Sequence, residues 1–276
     1  MRQAWLQSIL FPHQKLNKNH LDFFEGKTVL ITGASYGIGF EISKLIASQK
    51  TNLILIARTQ EKLQELQNYC LQAGASTCTI FLCDFYQLEQ VKELSDKIKN
   101  QFSKIDIWIS NAGKSIMRSF EHSKDRWQDI DRSIHVNFLS PVYLIQNCFS
   151  LLNHQNTVLV NVSALNVKMP ATPHWAAYQS SKTAFDQWCQ SNAAEWKQKG
   201  IKLKTAYLPL VETRMSEPNP QYAQMPKMSA SQAAIKIIRL ISSNKSTYQV
   251  WWAFGLIFLF PFKKLWAKSM LKSYQK

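Results

Sequence analysis

Tyr178 and Lys182 stand four residues apart in a segment with helical periodicity, so a helix carries both on one face. A free phenol titrates near 10, too high for easy proton exchange at neutral pH. An ammonium about 4 Å away favours the phenolate by at most about 4 kcal/mol at an effective dielectric near 20. That is about three pKa units, with desolvation working against it. The pair therefore has the magnitude to make Tyr178 an acid/base near neutrality. Ser163 ends an apolar run fifteen residues earlier, where ligand-facing residues of open sheets sit. Its hydroxyl can donate a hydrogen bond to developing negative charge. Asn137 lies in a long helical stretch before that run. A Tyr-x-x-x-Lys pair is common by chance, so its weight depends on what surrounds it.

The second chemical signal is Thr32-Gly33-Ala34-Ser35-Tyr36-Gly37-Ile38-Gly39, between a short apolar run and a helical pattern. Glycines there permit a tight turn and close backbone approach, and free N–H groups at the helix start receive a pyrophosphate. The spacing is Gly-x-x-x-Gly-x-Gly. Asp84 follows the third apolar run, and Asn111-Ala112-Gly113 follows the fourth. With Asn137, Ser163, Tyr178 and Lys182 in this order, the chain resembles the short-chain dehydrogenase/reductase family over roughly residues 25–245.

The resemblance implies a catalytic set of Asn137, Ser163, Tyr178 and Lys182. Ser163 would polarise the substrate oxygen, Lys182 would also hold the nicotinamide ribose, and Asn137 would hold a water linking Lys182 to solvent. It also implies cofactor contacts at Gly33, Ser35, Tyr36, Gly37, Ile38, Gly39, Asp84, Asn111, Ala112, Gly113, Tyr178, Lys182, Pro209, Val211 and Thr213. Leu210 replaces the glycine of the family's Pro-Gly motif, while Thr213 keeps its amide for the cofactor. Cofactor choice is legible at the end of the second strand, where an NAD site places a carboxylate. Here Ala57 and Arg58 stand instead. A guanidinium binds a 2′-phosphate that a carboxylate would repel, and Ser35 adds a hydrogen bond, so the expected cofactor is NADPH/NADP+.

These groups need a scaffold. Apolar runs at 27–32, 52–57, 77–83, 105–110, 157–163 and 202–208 alternate with helical patterns at 40–49, 60–73, 88–102, 125–152 and 177–199. Such alternation predicts an α/β, doubly wound parallel sheet with helices on both faces, in a single Rossmann-type domain. The expected division is an amphipathic arm over 1–25, the NADP-binding catalytic domain over 26–253 and a basic amphipathic extension over 254–276.

For the substrate, apolar Leu165, Trp175 and Met215, with Ser163 and Tyr178, are the expected lining, joined by Ile116, Met117, Met169 and Leu210. Lys114, Arg118 and Lys168 nearby suggest an acidic end on the molecule. The Pro-Leu-Val-x-Thr-x-Met stretch at 209–215 is similar to bacterial fatty acyl-CoA reductases and related membrane-associated members. The expected reaction is reduction of a carbonyl to an alcohol on a lipid-like small molecule. Steroid, 3-oxoacyl and simple aldehyde substrates stay open, as does a cofactor-binding protein of the same fold without catalysis.

Charge adds a partner question. The chain carries 33 Lys and Arg against 18 Asp and Glu, a net +15. After Glu217 there are nine basic residues and no acidic one. No nucleic-acid motif accompanies them, which excludes nucleic acid as the expected partner. The run Val250 to Phe262 is too short to span a bilayer and contains Pro261. Its start is expected to supply the last strand, and the lysine-rich end either a peripheral membrane contact or a subunit contact in a homo-oligomer. The N-terminal arm is expected to lie on the protein or on a membrane. Five cysteines without metal spacing fit a reducing, cytoplasmic location, peripheral on the inner face of a membrane if the tail binds lipid.

Overall fold

The computed structural model describes residues 7–152, 155–216, 222 and 225–274. The apolar runs become β1 (Thr28–Thr32), β2 (Asn52–Ala57), β3 (Thr77–Leu82), β4 (Ile107–Ser110), β5 (Thr157–Ala164) and β6 (Ile201–Leu208). A small pair, β7 (Val211–Glu212) and β8 (Met228–Ser229), follows, and then β9 (Thr247–Gln249). Helices are α1 (residues 7–10), α2 (Lys18–Asp22), α3 (Gly37–Ile46), α4 (Gln60–Gln72), α5 (Leu88–Gln101) and α6 (Trp127–Ile134). They continue with α7 (Ser140–Asn147), α8 (Ala176–Gln198), α9 (Ala230–Ile241) and α10 (Lys263–Tyr274).

Seven strands pair in parallel in the order β3-β2-β1-β4-β5-β6-β9. Successive strand residues face opposite sides, and both sides are covered, so the central strands read as near-continuous apolar runs rather than alternating ones. Val29 and Ile31 join one core layer with Ile42, Ile46 and Ile238 of α3 and α9. Leu30 joins the other, with Leu94 and Ile98 of α5, Leu144 of α7 and Phe185 of α8. The chain runs outward from β1 to β3, then returns to β4 on the other side of β1. That reversal opens a crevice at the carboxyl ends of β1 and β4, the expected place for a ligand in such sheets.

Two sequence-based expectations change. The single helix predicted over 125–152 is broken: a π turn, His135–Leu139, separates α6 from α7. Pro141, in the first turn of α7, has no N–H to offer the carbonyl four residues back, that of Asn137, so the α ladder is interrupted there. The aromatic run does not open with the last strand, because β9 ends at Gln249 and Trp251–Phe262 forms a 3-10 helix. The N-terminal arm, expected to lie on the protein or on a membrane, packs on the domain through its described residues. Phe11 and Phe24 are buried in the same core as β1, and Gln232, Lys236 and Arg239 of α9 donate to the carbonyls of Phe11, Pro12 and Lys15 at 3.3, 3.0 and 2.9 Å.

Candidate active site

β1 delivers the glycine turn to the crevice. Gly33 adopts φ +69°, and a Cβ there would lie 2.9 Å from the Ala112 Cα. A Cβ on Gly39 would lie 2.5 Å from the Gly33 carbonyl oxygen, so the turn packs directly under the start of α3. Thr32 Oγ1 accepts from the backbone N–H of Asn111 and of Ala112, both at 3.0 Å. Asn111 Nδ2 donates to the carbonyls of Thr32 and Gly33 at 3.1 Å. Asn111 and Ala112 thus brace the turn from β4. Tyr36 occupies the N-cap of α3 with no side-chain cap, which leaves the first N–H groups of a ten-residue helix for an anion.

The loop after β6 closes on this turn. A Cβ on Gly37 would meet Thr213 Cγ2 at 2.9 Å, and the Arg214 guanidinium lies 4.9 Å over the Tyr36 ring. The Thr213 amide, expected to face the cofactor, donates to Ser216 Oγ at 3.1 Å. Val211 is buried in β7, and the Leu210 carbonyl accepts from Met228 N at 2.9 Å. Arg58, beyond β2, is exposed and lies 3.7 Å from Asp84 Oδ2. Asp84 Oδ1 also accepts from Tyr86 N at 3.1 Å. Beside Ser35, Tyr36 and Gly37 a hollow is lined by Phe40, Lys62 and Glu65. Lys62, ion-paired with Glu65 in that hollow, is a second cation near the turn, and in the sequence it looks only like a solvated helix residue. An uncapped helix start, two nearby cations and no carboxylate at Ala57 fit a dinucleotide bearing an extra phosphate.

The chemical groups converge one strand further. The Asn137 side chain clamps the backbone of Lys114, accepting from its N and donating to its O at 2.8 Å each. Asn137 Nδ2 also donates to Ser181 Oγ at 2.9 Å, which fastens the π turn to α8. A Cβ on Gly113 would lie 3.3 Å from Asn137 Oδ1 and 3.5 Å from Lys182 Nζ, so these motifs meet at one point. Lys182 is buried and donates to the Val162 carbonyl of β5 at 3.0 Å. Burial pushes Lys182 down to about 8, partly opposed by Asp186. Burial also pushes Tyr178 up to about 12. Loss of solvation alone sets that direction, and the pull of Lys182 expected from the spacing does not enter it. Ser163, the next-to-last residue of β5, is buried, and its Oγ has no partner among the described residues.

The short chain dehydrogenase model matches residues 27–224, spanning the glycine turn, Asn111, Asn137, Ser163, Tyr178 and Lys182. The chain belongs to the short chain dehydrogenase family. A fatty acyl-CoA reductase of Acinetobacter baylyi is 35% identical over 230 residues, which are 83% of this chain and 77% of that protein. An uncharacterised oxidoreductase of Mycobacterium tuberculosis is 34% identical over 236 residues, 84% of this chain and 68% of that one. A short chain dehydrogenase of Burkholderia cenocepacia, solved in complex with NADP, superposes with a TM-score of 0.71. It shares 21% identity and covers 81% of this chain and 95% of its own, a likeness of fold.

Beside Tyr178, this short chain dehydrogenase presents an aromatic wall. Buried Trp175 meets Tyr178 edge-on at 5.7 Å and stacks on Tyr222 at 5.7 Å and 18°. Tyr222 was not singled out in the sequence, where nothing local ties it to Trp175. Gln179 holds the loop between Ser163 and Tyr178: its Nε2 donates to the Asn166 carbonyl at 2.7 Å, and its Oε1 accepts from Thr172 N at 2.9 Å. Leu165 is buried in the core and Met215 is exposed. Of the cations expected to meet an acidic substrate end, Arg118 is held by Asp129 at 2.7 Å and Lys168 lies 4.2 Å over the Tyr207 ring.

Proposed function

We propose that the protein reduces the carbonyl group of an apolar, lipid-like small molecule to an alcohol, with NADPH as hydride donor and Tyr178 as proton donor. The observation that carries this reading is the unpartnered Ser163 hydroxyl at the end of β5, in a site where Asn137, Gly113 and Lys182 converge one helical turn from Tyr178. Gly33, Ser35, Tyr36, Gly37, Ile38 and Gly39, with the start of α3, would hold the pyrophosphate. Arg58 would hold the 2′-phosphate, and Asp84, Asn111, Ala112, Gly113, Pro209, Val211 and Thr213 would line the rest. The NADP complex of the Burkholderia protein supports that cofactor, and the fatty acyl-CoA reductase among the relatives supports a long-chain substrate. Its aldehyde or ketone carbonyl takes one hydride and one proton to the alcohol, whereas an acyl thioester would give the aldehyde and the free thiol.

Bound NADPH supplies the hydride that reaches the carbonyl carbon. The protein's own groups handle the oxygen. With its phenol pushed up to about 12, Tyr178 stays protonated at neutral pH and gives its proton to that oxygen. Ser163 Oγ donates to the same oxygen and finds there the acceptor it otherwise lacks. Lys182, pushed down to about 8, is still mostly charged at pH 7 and offsets the phenolate left behind. Asn137 positions Lys114 and, through Ser181, the turn of α8 that carries both groups. Trp175, Leu165 and Met215 would bound an apolar substrate. The reading includes a cytoplasmic homo-oligomer whose C-terminal extension rests on a membrane.

The test is NADPH oxidation against long-chain aldehydes, acyl-CoAs, 3-oxoacyl thioesters, steroids and small ketones, with wild type and Tyr178→Phe. The variant should lose about 10²–10⁴-fold in turnover while titrating NADPH as wild type does. Wild-type protein that binds NADPH yet turns over nothing in this panel would sink the reading.

A further inference from the structure

The N-terminal helix touches the segment that leads into the C-terminal extension. Trp251 Nε1 donates to the Ile9 carbonyl at 3.2 Å, so the start of the aromatic 3-10 helix touches the N-terminal helix. A 3-10 helix has three residues per turn, which places Trp251 and Phe254 one above the other. They are 59% and 63% exposed, and Ile9 beside them is 43% exposed. In α10, Lys264, Lys268 and Lys272 recur every four residues and form one exposed stripe. Leu265 and Leu271 flank that stripe, also exposed. Residues 218–276 contain no acidic side chain. No helix among the described residues is long and apolar enough to cross a membrane.

We propose that Ile9 of the N-terminal arm and Trp251, Phe254 and the lysine stripe of the C-terminal extension form one docking surface for a bilayer carrying anionic lipid. Charge decides the occupant. A second copy of this surface would bring like-charged lysines together, whereas anionic headgroups neutralise the lysines while the acyl region receives the aromatic and aliphatic side chains. Trp251 suits that boundary because its N–H is already satisfied by the Ile9 carbonyl, which leaves the apolar surface of its ring for lipid. The proposal rests on the reading of the C-terminal extension as membrane-facing, and adds the arm and the requirement for anionic lipid.

Flotation of the full-length protein tests it, with vesicles of phosphatidylcholine mixed with phosphatidylglycerol and of phosphatidylcholine alone, at low and high salt. Binding should favour the anionic vesicles and fall with salt. Replacing Lys264, Lys268 and Lys272 together by Gln should weaken it by about a hundredfold. Ile9→Ser should weaken it by about threefold to tenfold, with the far-UV dichroism and melting temperature of wild type as the check on folding. Binding lost in the tail variants but unmoved by Ile9→Ser, or equal on both vesicle types, overturns the proposal and leaves the tail reading standing. No binding to either vesicle overturns both. Self-association that Phe254→Ser abolishes, without vesicle binding, assigns the surface to a second copy.

Discussion

At the scale of single residues, the reacting corner is governed by burial. An unpartnered interior hydroxyl costs about 1–3 kcal/mol, and Ser163 Oγ is in that state. Ser163→Ala is expected to lower kcat by about a hundredfold or more while the melting temperature holds or rises. A fall in both would mark the hydroxyl as structural. Asp186, one helical turn beyond Lys182, is buried and accepts from Asn161 Nδ2 at 3.0 Å and from the Tyr207 hydroxyl at 3.1 Å. Its negative charge opposes the burial that lowers Lys182, while Lys168 on the preceding loop faces it as well. A lysine is charged below its pKa and neutral above. Asp186→Asn, by lowering Lys182 further below about 8, should start the alkaline decline of reduction at a lower pH. A kcat–pH profile with an unmoved alkaline limb would remove Asp186 from this role. The spacing of Tyr178 and Lys182 was legible in sequence, but which way each would titrate was not. Helical spacing says nothing of how much water remains around a side chain.

Among the elements, the turn between β1 and α3 is the least tolerant. The atom that a Gly39 Cβ would meet at 2.5 Å is a backbone oxygen, already committed to Asn111. Gly39→Ala is therefore expected to destabilise by about 1–3 kcal/mol and to weaken NADPH binding together with it, read by urea midpoint and fluorescence titration. Unchanged values in both would show that the turn relaxes without harm. The glycine spacing announced this turn because its chemistry is local. The π turn carrying Asn137 was not announced. Apolar periodicity continues smoothly through residues 125–152, and only the missing N–H of Pro141 and the distant backbone of Lys114 break the helix there.

For the whole molecule, the arm is part of the core it crosses. Phe11 is 3% exposed, and the carbonyls around it are held by α9. Phe11→Ala should cost about 3–5 kcal/mol, seen as a lower urea midpoint with an unchanged slope. A loss within about 0.5 kcal/mol, the range of an ordinary surface change, would detach the arm from the core. Membership of the short chain dehydrogenase family, the succession of β1 to β6 and the doubly wound sheet were all determined by the sequence alone. They follow from turn chemistry and from periodicities of 2 and 3.6 that act over a few neighbouring residues. Tertiary structure decided the rest. It left Ser163 unpartnered, turned Asn137 onto Lys114, spent Arg118 on Asp129 and Lys168 on Tyr207, and brought Ile9 to Trp251. Each of these depends on which groups from distant segments arrive within hydrogen-bond reach, and on how far packing excludes water from them.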